Sequence, residues 1–198
     1  MRVNEVFESI QGEGKYAGQP ALFIRLSGCN LKCSFCDSKH HVENDEYSID
    51  ELINIITSSD KTIVVWTGGE PLLQYNGIKE VVDKTRIAPY LKQHHIETNG
   101  TLLSSLNIRD TFHYICVSPK DAVVAQATSR MDVDDIKVVT DLMIGKDSIP
   151  YATMLMPLTT YTHRDNNIEK DVWNYCVEHN KKFCLRQHYK VWNNKKGV

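Results

Sequence analysis

The chain has 198 residues, 23 Lys+Arg against 25 Asp+Glu, and 41% hydrophobic residues. That length suits one domain, residues 1–198, with a core large enough to need no staples, and a formal net charge of −2 gives no reason to expect nucleic acid or an anionic membrane as the direct partner. No run approaches the ~18 apolar residues of a membrane span, and MRVNEVFESI lacks the basic-then-apolar order of a signal peptide, so the expectation is a soluble, cytoplasmic protein.

In chain order, Pro20 to Leu26, PALFIRL, reads as a largely buried strand leading into Ser27, Gly28 and Cys29. Ser48 with Glu51 forms a capping box for a helix with Ile49, Leu52, Ile53 and Ile56 on one face. Thr62 to Trp66, TIVVW, is too short for a helix and rich in β-branched residues, hence a strand, and it ends in the turn TGGEP. Ile78, Val81, Val82 and Thr85 suggest a second helix, with Asn76 and Gly77 blurring its start. Strands are expected at His94–Ile96, His113–Val117, Asp135–Val139 and Tyr151–Met156, a helix from about Asn167 to His179, and a last strand at Phe183–Arg186. This alternation argues for α/β with a mostly parallel sheet. The odd residues follow the strands: the cysteine loop, TGGEP, ETNG and SPK each come directly after an apolar run. In parallel sheets and barrels the carboxyl ends of the strands open on one side, so these four segments are expected to converge on one pocket.

Three of the six cysteines, Cys29, Cys33 and Cys36, are crowded into a CxxxCxxC loop. A disulfide framework suits small secreted chains and finds no support here. Three thiolates at this spacing can wrap one inorganic body. Structural zinc would need a fourth ligand, for which His40 and His41 are nearby, whereas a four-iron cluster held by three cysteines leaves one iron open to bind a ligand. Cys116, Cys176 and Cys184 lie in apolar patterns and read as core. His94 and His95 read as surface or strand-end residues.

The three-cysteine loop, with GGEP at Gly68 to Pro71, resembles the radical S-adenosylmethionine (SAM) superfamily. FESIQGEGKYAGQPALFIRLSGCNLKCSFCD, Phe7 to Asp37, together with TGGEP, ETNG, SPK and the C-terminal Gln187-His188, is similar to the 7-carboxy-7-deazaguanine synthase family of queuosine and 7-deazapurine biosynthesis. The resemblance implies a shortened, partial (β/α) barrel carrying a [4Fe-4S] cluster whose open iron chelates SAM. It implies ring contraction of 6-carboxy-5,6,7,8-tetrahydropterin to 7-carboxy-7-deazaguanine with loss of ammonia. Mg2+, an electron donor such as flavodoxin or ferredoxin, and a homodimer complete the expectation.

Carried over motif by motif, the resemblance assigns the cluster to Cys29, Cys33 and Cys36, and magnesium to Ser38, whose hydroxyl is the hard ligand such a cation requires. SAM falls to Phe35, Cys36 and Asp37, to Gly69 and Glu70, to Glu97 and Asn99, to Ser118, Pro119 and Lys120, and to Met156, Pro157, Leu158 and Thr159. Glu70 is equally placed to brace its loop. The substrate falls to Ile10, Gln11, Gly12 and Glu13, to Arg25 for the carboxylate, to Thr67, and to His188 and Val198 at the C-terminal end. Taken singly, QGEG is a glycine-permitted turn, Arg25 a solvated strand residue, Ser38 a cap and SPK a proline break. Together and in this order they are improbable as coincidence. The rivals are an activase of a glycyl-radical enzyme and a structural-zinc interaction module.

Overall fold

The computed structural model describes residues 1–36, 45–159, 166–193, 195 and 197. Nine strands form one sheet in the order β3-β1-β2-β4-β5-β6-β7-β8-β9. They are β1 (Arg2–Ile10), β2 (Pro20–Leu26), β3 (Asp45–Glu46), β4 (Ile63–Gly68), β5 (Gln93–Thr98), β6 (Tyr114–Val117), β7 (Asp135–Thr140), β8 (Met154–Pro157) and β9 (Lys182–Phe183). Pairing is parallel from β2 through β9, while β1 runs antiparallel to β2 and β3. Helices α1 (Ile49–Ser58), α2 (Tyr75–Thr85), α3 (Ala122–Thr128), α4 (Asn166–Glu178) and α5 (Gln187–Trp192) lie between or after the strands. The expected α/β class and open, partial barrel are what is found.

Strand alternation separates two faces. Leu22, Ile24 and Leu26 of β2, Val64 and Trp66 of β4, Ile96 of β5, and Ile115 and Val117 of β6 share one core with Leu52 and Ile56 of α1 and Ile78, Val81 and Val82 of α2. The opposite parity, Ala21, Phe23, Ile63 and Val65, packs with Phe7 and Tyr16 on the inner face. Ile136, Val138 and Leu155 pack with Val172 and Cys176 of α4. The capping box at α1 forms as expected: Ser48 Oγ accepts from Glu51 N–H (3.2 Å), and Glu51 accepts from Ser48 N–H (2.7 Å).

Three expectations are corrected. The strand expected at Tyr151–Met156 is β8, Met154–Pro157; Tyr151 closes a 3-10 turn, Lys146–Tyr151, that starts at Gly145 with φ 72°. The final strand is only Lys182–Phe183, because the chain turns after Cys184 toward α5. His94 and His95 are core residues, 0% and 1% exposed. Trp66 Nε1–H donates to His94 Nδ1 (3.0 Å), which fixes that nitrogen as acceptor and leaves Nε2–H to donate to Thr85 Oγ1 (2.9 Å). Burial holds His94 down at about 3. Strand β1 and helix α3 were not anticipated; α3 is announced by Asp121, whose Oδ1 accepts from Val124 N–H (2.9 Å).

Candidate active site

The carboxyl ends of β2, β4, β5, β6, β7 and β8 surround a cavity of about 280 Å³. All four segments that follow strands reach it: Cys29, Cys33 and Cys36; Thr67 to Gly69; Glu97 to Asn99; and Ser118 with Lys120. Within the strands, the inner parity places Arg25, Thr67, Glu97, Cys116, Lys137 and Met156 on its wall. Each stands two residues beyond an inner-face neighbour lower in the same strand: Phe23, Val65, His95, Tyr114, Asp135 and Met154.

The TGGEP turn lies directly against the start of the cysteine loop. Gly69 N–H donates to Leu26 O (3.0 Å) and Glu70 N–H to Gly28 O (2.8 Å). A Cβ on Gly69 would stand 1.9 Å from Gly28 O, and one on Gly68, where φ is +124°, 2.2 Å from Leu26 O. Both glycines are thus required by backbone contact before any ligand is considered. Glu70 is completely buried and does not line the cavity. Its Oε1 accepts from Leu72 N–H (3.0 Å) and Thr98 Oγ1 (2.7 Å), and its Oε2 from Asn99 N–H (2.7 Å). Glu70 thus ties TGGEP to ETNG, the bracing one of its two sequence readings. Burial pushes its carboxyl up, with these donors opposing.

Asn99 extends the bracing. Its Nδ2 donates to Asn30 Oδ1 inside the cysteine loop (2.9 Å), and its Oδ1 accepts from Thr101 N–H (2.9 Å). Lys120 Nζ donates to Ser118 Oγ (2.9 Å) and lies 5.8 Å over the Phe35 ring, so SPK closes on the same loop. Met156 lines the cavity, while Leu158 packs beside Val139, Met154 and Cys184, and Pro157, Leu158 and Thr159 stand back from the wall. Pro119 likewise is buried behind it. Asp37, Ser38 and Val198 lie outside the described residues, as do His40 and His41.

The cysteine loop fits a thiolate-held cluster. Its three thiols are free, half-buried and on one cavity wall, and Leu31 N–H points at Cys29 Sγ (3.4 Å), the kind of donor that tunes cluster sulfur. Burial pushes the Cys33 thiol up, the Lys120 ammonium opposes it, and Cys36 and Cys29 push further in the same direction as burial. Among the described residues no three His, Cys, Asp or Glu side chains converge on a single ion. Thiolates on a four-iron cluster need not, since each meets its own iron.

Also on the cavity wall, Arg25 shares the inner face with Phe23 and is neither fully solvated nor free. Its Nε donates to Glu5 Oε1 (2.6 Å), and its guanidinium carbon lies 5.8 Å from the centre of the Phe7 ring, itself stacked on Phe23. Gln11 is buried; its Nε2 donates to Glu97 Oε1 (3.1 Å), and Thr67 Oγ1 donates to Glu97 Oε2 (3.1 Å). Glu97 thereby joins Gln11 and Thr67, two of the residues assigned to substrate. Gly12 O accepts from Gln187 N–H (3.2 Å), which brings His188 to the cavity, and Ile10 sits half-exposed at its rim. Glu13 is paired with two cations that the sequence did not single out, Lys137 and Arg186. The signal for Lys137 was present as a lysine at inner parity in DIKVVT.

A partial parallel barrel with three thiols at the mouth defines a radical SAM core, and the radical SAM superfamily model matches residues 23–117. Nearly the whole chain also superposes on the crystal structure of QueE from Escherichia coli. That match covers 93% of this chain and 92% of that one with a TM-score of 0.67; at 24% identity it speaks for the fold. A 7-carboxy-7-deazaguanine synthase of Bacteroides thetaiotaomicron is 41% identical over 138 residues, 70% of this chain and 69% of that protein. Another, from Halobacterium salinarum, is 30% identical over 96% of this chain and 90% of its own length. Two further relatives align over only 54% and 48% of theirs. The chain belongs to the 7-carboxy-7-deazaguanine synthase family.

Proposed function

We propose that this chain, as a single domain, contracts the ring of 6-carboxy-5,6,7,8-tetrahydropterin to 7-carboxy-7-deazaguanine with loss of ammonia, in queuosine-type 7-deazapurine biosynthesis. One observation carries the reading: the three-thiol loop and the set Gln11, Glu13, Arg25, Thr67 and Glu97 line the same cavity. When bound, the [4Fe-4S] cluster and SAM would supply radical chemistry for hydrogen abstraction. Cys29, Cys33 and Cys36 hold the cluster, with Phe35, Gly69, Asn99, Ser118, Lys120 and Met156 around SAM. Ser38 serves Mg2+.

The protein's own groups do the positioning. With Arg25 Nε committed to Glu5, the outer pair of guanidinium nitrogens remains to grip the substrate carboxylate in bidentate fashion. Gln11, Glu13 and Glu97 line the wall with an amide and two carboxylates, suited to the N–H groups of a pterin edge. His188 and the C-terminal residues close the pocket. A cytoplasmic homodimer served by flavodoxin or ferredoxin completes the proposal; no helix among the described residues is long and apolar enough to cross a membrane.

Anaerobic reconstitution followed by iron and sulfide analysis, then incubation with SAM, a reductant, Mg2+ and the carboxytetrahydropterin, tests it. The expected product is the deazapurine. Zinc without iron would sink the radical reading, and SAM cleavage without deazapurine would sink the substrate.

A further inference from the structure

The cavity wall holds an ionised side chain that no motif marks. Lys137 occupies the inner parity of β7, two residues beyond Asp135, and its side chain is 5% exposed. Its ammonium donates to Glu13 Oε2, while Arg186 Nε stands 3.5 Å from Glu13 Oε1. From Glu13 a polar run continues along the wall: Glu13 N–H donates to Gln11 Oε1 (3.1 Å), Gln11 Nε2 to Glu97 Oε1 (3.1 Å), and Thr67 reaches Glu97 from the far side (3.1 Å). The run thus joins the turn after β1 to β5 and β4, with Lys137 anchoring one end.

A buried ion pair is a costly way merely to pin a turn, since apolar residues of similar volume pin as well or better. Placed on a cavity wall it does something apolar packing cannot. It keeps a carboxylate charged, and a charged carboxylate only accepts hydrogen bonds, at about four lone-pair sites. Lys137 occupies one site at Glu13 Oε2 and Arg186 stands at Oε1, so both oxygens of this cavity-lining residue are held in the acceptor state by cations.

We propose that Lys137 is a positioning residue for substrate: by pairing with Glu13 it keeps that carboxylate an obligate acceptor, so that Glu13, Gln11 and Glu97 present an ordered edge to the N–H groups of a pterin-type ring. This rests on the carboxytetrahydropterin reading. Around the pair stand Cys116 of β6, Glu97 of β5, Cys184 after β9, Arg186 at the start of α5 and His188 within it. Burial pushes Glu13 up, yet the Lys137 ammonium and Arg186 guanidinium prevail and hold it well below the usual carboxylate range. Without Lys137, burial faces Arg186 and His188 alone, and Glu13 moves up toward protonation.

The test compares the reconstituted parent enzyme with Lys137→Met, Lys137→Arg and the double variant Glu13→Gln/Lys137→Met, by equilibrium binding of the carboxytetrahydropterin and by steady-state kinetics from mildly acid to mildly alkaline pH. Lys137→Met is expected to raise KM about tenfold or more, with a smaller change in kcat, and to give kcat/KM an acid limb absent from the parent. Lys137→Arg restores both. The double variant, which buries no lone charge and so keeps the fold testable, is expected to lose the acid limb while KM stays raised. Parent-like KM and pH profile in Lys137→Met, or an acid limb that persists in the double variant, would overturn the proposal. A parent that cleaves SAM but yields no deazapurine would instead overturn the substrate reading, and this proposal with it.

Discussion

The inner face of the barrel carries polar groups at two levels, the base and the mouth. At the base, Asp135 Oδ2 accepts from the Tyr114 hydroxyl (2.8 Å), and its Oδ1 accepts from Thr153 Oγ1 (2.7 Å) and Lys182 Nζ (2.7 Å). Tyr16 and His95 pack into the same layer as tilted rings, with centroids 4.3 Å apart. Two residues along the same strands, Glu97, Cys116 and Lys137 face the cavity instead. At the base the Asp135 carboxylate is taken up by Tyr114, Thr153 and Lys182, which rigidifies the wall from below. The mouth leaves donors and acceptors toward a ligand. Function and stability are therefore separated by a single two-residue step in each strand, and substitutions at the two levels should fail differently.

The largest effect is expected at the mouth. Cys33→Ala should abolish cluster retention and lower product formation by at least about a thousandfold, read as lost iron, sulfide and visible absorbance while the far-ultraviolet spectrum stays folded. A variant that keeps its iron would mean the loop serves another purpose. Next, Arg25→Ala should reduce kcat/KM for the substrate about a hundredfold, ~3 kcal/mol, with the cluster absorbance retained. Loss of the cluster in that variant would instead make Arg25 part of the scaffold with Glu5.

The base should show the opposite signature. Asp135→Asn removes the charge that serves Tyr114, Thr153 and Lys182, and is expected to cost about 2 kcal/mol of stability, measured by urea unfolding. KM for substrate should stay within about twofold of the parent. A tenfold change in KM from this position would erase the distinction between the two levels.

How much of this was legible depends on what each segment advertises. PALFIRL and TIVVW announce buried strands because their helix-facing parity is apolar without interruption. Glycines and proline announce TGGEP because backbone must pass backbone there. β1 does not announce itself, since its pairing shifts register between Val3 and Glu5 and its residues are mostly half-buried. His94 and His95 read as surface because a histidine's polarity is visible in sequence and its partners are not: Trp66 and Thr85 meet His94 only through the parallel register of β4 with β5 and the packing of α2. Lys137 is unmarked for the same reason: nothing inside DIKVVT shows that Glu13 meets it. The useful rule is parity. Once Arg25 and Thr67 mark the inner face, Glu97, Cys116 and Lys137 fall on it by counting in twos and aligning strand ends.

His95 gives the smallest and most discriminating test of the base. Neither of its ring nitrogens finds a hydrogen-bond partner among the described residues, and burial, aided by the neighbouring His113, holds it down at about 4. Between the ordinary histidine value near 6.5 and 4, the unfolded chain binds a proton that the folded chain refuses. The stability that depends on a neutral His95 is therefore complete above about pH 6.5 and is lost as pH falls, by roughly 1 kcal/mol over the first unit. Because His95 has no such partner to lose and lies among Tyr16 and Tyr114, His95→Phe should be about as stable as the parent at neutral pH and lose less stability on acidification, measured as denaturant midpoints at two pH values. His94→Phe, by contrast, strands the Trp66 indole N–H and should destabilise at every pH. If His95→Phe instead loses stability at neutral pH, His95 is engaged by a partner; if it keeps the parent's full acid sensitivity, the proton refused on folding belongs to another group.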